Sequence, residues 1–336
     1  MKLVPCLCAV LVLALAPWAT AEEAKVETIL SGLSNPAGVA VQPGTGHVFV
    51  SDSAAGRIVK VDPKNPGKTE DVVTGFGKDV YGKGPMYDIG PLGLAFLDAK
   101  TLVVGGGDHP DGSELVYIFD VSGGKPQTAD QAKFKVGPIG PSDDSPMGEG
   151  NFYGVAVGEG AVFLTSNGDD TKGWVVRFEW KDGKPGPLKP FIATKPLVEV
   201  DAPVGITINH RGLIVVGQMG EINLPKDSLL TFYAPKSGKL VRKDKTDLYD
   251  IAGLAYSKEG RLYAVDFAWM ATDQGGLFRL EDDGQGGVKA AKITALDKPS
   301  AIAAGADGSL YVTVFGTAKE GSDEKPGTLV RITGAP

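Results

Sequence analysis

Short apolar and β-branched runs, broken by Gly, Pro and Asp-Gly, recur along the whole chain. One phrase sets the rhythm. Pro36-Ala37-Gly38-Val39-Ala40-Val41 returns as Pro91-Leu92-Gly93-Leu94-Ala95-Phe96, as Phe152-Tyr153-Gly154-Val155-Ala156-Val157 and as Pro203-Val204-Gly205-Ile206-Thr207-Ile208. It appears again as Ile251-Ala252-Gly253-Leu254-Ala255-Tyr256 and, with Ala for Gly, as Pro299-Ser300-Ala301-Ile302-Ala303-Ala304. The anchor positions 38, 93, 154, 205, 253 and 301 are separated by 55, 61, 51, 48 and 48 residues. Each phrase leads through a short turn, Gly-bearing in all but the second case, to a second apolar run and, after a variable loop, to a third, such as Arg57-Ile58-Val59-Lys60-Val61. Runs of this kind at even spacing read as antiparallel strands.

Internal repetition at this period, with four strands per step, predicts an all-β fold: a six-bladed β-propeller of four-stranded antiparallel blades. The first strand of each blade converges on the axis, which explains its Gly and Ala content, because bulk does not fit where backbones approach. Residues 26–30 precede the first inner strand without a blade of their own. They are expected to close the ring as the outer strand of the last blade, beside residues 328–332, removing two exposed edges.

Residues 1–21 read as a cleaved signal peptide: Lys2, an apolar stretch to Ala16, and Ala19-Thr20-Ala21 before Glu22. Residues 22–336 are then a single propeller domain, exported to a periplasm or the cell exterior. Cys6 and Cys8, the chain's two cysteines, leave with the leader, which excludes disulfides and a thiol nucleophile from the mature protein. Losing Lys2 moves the formal charge from -7 to -8. That acidity and the lack of a basic stripe exclude nucleic acid as a partner, and no later segment has the ~20 apolar residues that membrane insertion needs.

In a propeller, the entries to inner strands and the loops between second and third strands emerge on one face, where a rigid scaffold concentrates function. Just ahead of the inner strands stand Asn35, Asp88, Asn151, Asp201, Asp250 and Asp297. Carboxylate and amide oxygens suit a hard divalent cation such as calcium, and all but Asp297 are taken as the candidate metal set. The competing reading is that Asn and Asp here cap turns through their side chains. His109, on the same face beside Asp108, is a candidate general base oriented by a carboxylate, against the alternative of a solvated loop histidine. Tyr87, Tyr153 and Trp269 offer an apolar wall for a ligand, and Asp111 and Asp169 polar partners, although packing between blades accounts for the rings equally well.

At these repeats the chain resembles the six-bladed propeller superfamily that includes the NHL repeat proteins and the senescence marker protein/gluconolactonase family. Residues 33–41 and 48–62 look much like an NHL repeat. In gluconolactonase-like members the resemblance implies a divalent cation at the channel mouth, held partly by Asn or Asp directly before the inner-strand glycine. Here those positions hold Ala37, Leu92, Tyr153, Val204, Ala252 and Ser300. The pyrroloquinoline quinone sugar dehydrogenases of the same architecture use a His base beside Arg and Lys, and only His109 lies on the matching face. The sequence therefore points first to an NHL-type binding protein whose loop-rich face takes a small ligand, saccharide or protein partner. Its alternative is a divalent-metal-assisted lactone or ester hydrolase.

Overall fold

The structure is a computed structural model that describes residues 24–169, 171–285 and 287–335, so the leader lies outside the described residues. Six antiparallel blades surround a central axis, five with their strands in sequence order from axis to rim and the sixth with the N-terminal strand at its rim. Blade 1 runs Pro36–Val41, Val48–Asp52, Arg57–Val61, Thr69–Thr74, and blade 2 Leu94–Phe96, Thr101–Gly105, Val116–Asp120, Phe134–Val136. Blade 3 is Val155–Gly158, Ala161–Ser166, Trp174–Lys181, Lys189–Ala193, and blade 4 Pro203–Ile208, Ile214–Gln218, Leu229–Tyr233, Leu240–Lys245. Blade 5 is Ile251–Tyr256, Leu262–Asp266, Gly276–Asp282, Val288–Ala295. Blade 6 joins Pro299–Ala304, Leu310–Val314 and Gly327–Thr333 to Lys25–Leu33. In that last ladder Val26 faces Ile332 and Thr28 faces Val330.

The second strands are apolar on both faces because each is covered by two neighbouring blades. Every residue of Val48–Asp52, Ile214–Gln218, Leu262–Asp266 and Leu310–Val314 is buried. Each such Val, Leu or Ile contributes about 1.5–3 kcal/mol through the water it sheds. The inner strands need small residues for a different reason. A Cβ on Gly38 would clash with the carbonyl oxygen of Leu92, and one on Gly154 with that of Val204, the backbone of the next blade in each case. Hydroxyls stitch the same seams: Ser51 Oγ donates to Leu92 O at 2.6 Å and Thr165 Oγ1 to Val204 O at 2.7 Å. Ser300 Oγ donates to Pro36 O between the last blade and the first.

One element stands outside the blades. Ahead of the inner strand of blade 2, Asp79–Tyr81 and Tyr87–Ile89 pair as a separate antiparallel hairpin. Its two tyrosines reach the channel mouth.

Candidate functional site

Tyr81 and Tyr87 of the hairpin meet aromatic side chains from blades 3, 5 and 6. Tyr81 packs on Tyr153 at 5.2 Å between ring centroids, and Tyr87 on Trp269 at 5.2 Å and on Phe315 at 5.4 Å. Phe267 joins Trp269 at 5.0 Å and Phe315 at 5.2 Å. Most of these contacts are edge to face, the arrangement ring quadrupoles favour. The cluster closes the channel. Beneath it lies an apolar cavity of about 30 Å3, lined in part by Ala37, Tyr153, Val204, Ala252 and Ser300.

Above and beside the rings a polar cleft of about 210 Å3 opens on the loop-rich face. The hairpin supplies Asp79, Tyr81 and Lys83, the blade 2 loop Asp111, and blade 5 Trp269. Blade 3 adds Asn151 and Asn167, and blade 4 Asp201 and Glu221. Asn167 Nδ2 donates to Tyr81 Oη, tying the hairpin to blade 3. Three buried polar atoms on these lining residues have no protein partner: Trp269 Nε1, Asn151 Oδ1 and Asn167 Oδ1. An unpaired buried donor or acceptor costs on the order of 1–3 kcal/mol, which a ligand group or water recovers.

Carboxyls crowd the junction of blades 2 and 3 behind the cleft. Glu114 is fully buried, and its Oε2 accepts the backbone N–H of Asn151. Burial, helped by the charges of Asp111, Asp108 and Asp79, pushes its pKa up to about 9. Glu149 is pushed to about 7, again chiefly by burial, against hydrogen bonds donated by Ser145 and Ser166 at 2.6 Å each.

The residues expected from the sequence are placed unequally. Asp111, Asn151, Asp201 and Trp269 line the cleft, while Tyr87 and Tyr153 line the cavity beneath. Asp169 stands away from the cleft lining and accepts the backbone N–H groups of Met147 and Thr171 at 2.9 and 2.7 Å. His109 Nδ1 lies 3.3 Å from Asp108 Oδ2, which also accepts the Tyr117 hydroxyl at 2.9 Å, and this pair too stands outside the cleft lining.

The Asn and Asp residues ahead of the inner strands are engaged one by one. Asn35 Nδ2 donates to Asp88 O at 3.0 Å, while the Asp88 side chain is exposed. Asn151 Nδ2 donates to Asp111 Oδ1 at 3.1 Å, Asp201 pairs with Lys195, and Asp250 Oδ2 accepts the Trp269 N–H at 2.6 Å. Asn35 and Asn151 have φ of 46° and 50°, a left-handed turn that Asn tolerates better than most residues. Among the described residues no three carboxylate, imidazole or thiol side chains are grouped to hold a metal. Tyr81, Asn167, Lys83 and Glu114 are cleft or near-cleft residues that the sequence reading did not select. The signal for the first was present in Asp79-Val80-Tyr81 and Tyr87-Asp88-Ile89, two alternating runs around Gly82-Lys83-Gly84-Pro85.

No protein-family model and no curated protein matches this chain. Solved structures do. The pyrroloquinoline quinone-bound aldose sugar dehydrogenase of Streptomyces coelicolor aligns at a TM-score of 0.62 with 19% identity, over 93% of this chain and 99% of that one. A gluconolactonase of Xanthomonas campestris aligns at 0.62 with 14% identity, over 92% and 89%. Virginiamycin B lyase of Staphylococcus aureus aligns at 0.53 with 14% identity, over 93% and 99%. This chain shares a β-propeller fold with them.

Neither group implied by such neighbours fits the axis here. Five of the six positions directly before the inner-strand glycines or their equivalent line an apolar cavity under the aromatic cluster, and none of the five is a carboxylate or amide, so an axial cation would lack its usual ligands there. A quinone cofactor with several carboxylates would meet Asp79, Asp111 and Glu221 in the cleft, against Lys83 and the Asp201–Lys195 ion pair. Among the described residues no helix is long and apolar enough to cross a membrane.

Proposed function

We propose that the protein is exported and acts on a small polyhydroxylated molecule, a sugar or its lactone, at the polar cleft beside the aromatic cluster. The observation that carries this reading is that one cleft is lined by a residue with an unpartnered buried donor, Trp269 Nε1, and by another with an unpartnered buried acceptor, Asn167 Oδ1. A hydroxyl both donates and accepts, so a polyol satisfies the two together. The aromatic edges give its C–H faces an apolar surface, and the carboxylates accept further hydroxyl protons.

Turnover is favoured over simple capture because the sugar dehydrogenase and gluconolactonase neighbours are enzymes of the same architecture. For a lactone, a cleft carboxylate such as Asp111 takes a proton from the attacking water, and the Lys83 ammonium offsets charge developing on the carbonyl oxygen. The ring C–O bond then breaks as the carboxyl returns that proton to the departing ring oxygen, leaving the hydroxy acid. Capture without chemistry, by an NHL-type binding protein, is the second reading, supported by the apolar lining of the cavity at the axis. Incubating the full chain with a panel of sugar lactones and following acid release tests the choice. Release that is lost in Asp111→Asn while sugar binding persists supports the enzyme. Binding with no release for any lactone overturns it in favour of capture.

A further inference from the structure

Behind the cleft, two carboxyls and an amide pack against two glycines, whose missing Cβ atoms let the acids come close to the backbone. A Cβ added to Gly150 would lie 3.1 Å from Asp111 Oδ1 and would collide with Glu114 Oε2. One added to Gly168 would lie 2.8 Å from the same Asp111 oxygen. Asn151 joins both acids, its backbone N–H donating to Glu114 and its Nδ2 to Asp111. Glu114 Oε1 and Asn151 Oδ1 are buried and accept nothing, on residues 0% and 7% exposed.

Buried carboxyl and amide oxygens without donors are what a hard cation satisfies; Asp111 supplies negative charge, and cation binding displaces the proton from the buried Glu114 carboxyl. We propose that Asp111, Glu114 and Asn151 form a site for a divalent cation of the calcium class, at the junction of blades 2 and 3 and off the channel axis. The blade 2 loop supplies the acids, and the entry to blade 3 supplies the amide. Water fills the remaining coordination positions, since calcium takes ~6 to 8 oxygens. This differs from the arrangement suggested by the turn positions alone, because Glu114 comes from a different loop and Asn151 alone is shared. It does not rest on the sugar reading.

The test is calcium titration of the chelator-treated full chain by calorimetry, with no sugar present, in the wild type and in Glu114→Gln, Asp111→Asn and Asp250→Asn. The expected result is one calcium per chain, bound at least about ten-fold more weakly in Glu114→Gln and Asp111→Asn and unchanged in Asp250→Asn. Calcium should also raise the wild-type melting temperature by several degrees and leave that of Glu114→Gln in place. Glu114→Gln keeps the shape of the side chain, so its metal-free melt checks that it folds. No binding by the folded wild type at millimolar calcium overturns the proposal. Equal binding by Asp111→Asn and Glu114→Gln overturns it as well.

Discussion

Asp250 Oδ2 accepts the backbone N–H of Trp269 at 2.6 Å, so a carboxyl at the entry to blade 5 holds the residue that closes the channel. Asp266 supports the same turn, with Oδ1 accepting Asp250 N–H at 2.7 Å and Ala268 N–H at 3.1 Å. Trp269 is therefore fixed by backbone hydrogen bonds as well as by its ring neighbours. A site that recognises its ligand through one indole N–H needs such rigidity.

The Asp250 carboxyl carries a pH signature. Burial, with smaller contributions from Asp266 and Asp227, raises its pKa from 3.8 to about 7 against the Trp269 hydrogen bond. The folded state then holds a proton that the unfolded state has released, so this contribution is full below about pH 3.8 and fades as pH rises through about 7. Melting temperature in metal-free buffer should fall over that window, and Asp250→Asn, which keeps an acceptor for Trp269, should flatten the fall. An unchanged slope in Asp250→Asn contradicts the assignment.

Trp269→Ala should destabilise the fold by roughly 3–5 kcal/mol in denaturant titrations, the usual cost of emptying a buried Trp site. Trp269→Phe should recover most of that stability while losing the indole N–H. If the alanine variant unfolds with the wild-type midpoint, the aromatic cluster is not a packed unit.

Tyr81→Phe removes the hydroxyl that accepts from Asn167 Nδ2 and leaves the ring contacts with Tyr153 and Trp269. Global stability should change by about 1 kcal/mol. Amide exchange along Asp79–Tyr81 and Tyr87–Ile89 should speed up, because that hairpin pairs with no blade. Exchange as slow as in the wild type would show that the rings alone hold it.

Gly38→Ala tests the seam between blades 1 and 2. Its Cβ would clash with Leu92 O, a backbone atom that cannot rotate away, and the expected loss is about 1–3 kcal/mol. The reference is Gly44→Ser in an exposed turn, where a Cβ meets nothing within 4 Å and the cost is only that of φ +84°. A smaller loss at Gly38 than at Gly44 would contradict the close approach.

The blades were legible because each repeats the same local demands: a small residue at the axis, a continuous apolar second strand, and a short turn between them that carries Gly in five of the six. Gly38, Gly93 and Gly154 state that demand in the sequence, and the clash each would cause is its physical source. The site was less legible because it is assembled from distant segments. Tyr81, Tyr153, Trp269 and Phe315 meet only when four parts of the ring come together, and no local period records it. Asn35 and Asn151 illustrate the ambiguity from the other side. Their equal offset from the inner strands reads as a ring of ligands, yet a left-handed turn asks for the same residue type. Glu114 gave no signal at all, since its distinction is burial beside Asp111, Asp108 and Asp79.

The most direct test of the account follows tryptophan fluorescence while the full chain is titrated with sugars, sugar acids and sugar lactones, in the wild type and in Trp269→Phe. The account predicts saturable change with at least one of these ligands in the wild type. In Trp269→Phe, calorimetry should find affinity for that ligand at least about ten-fold lower, as expected when a buried hydrogen bond and ring contact are lost. Absence of saturable binding across the panel, or equal affinity in Trp269→Phe, would contradict a polyol site at the channel mouth.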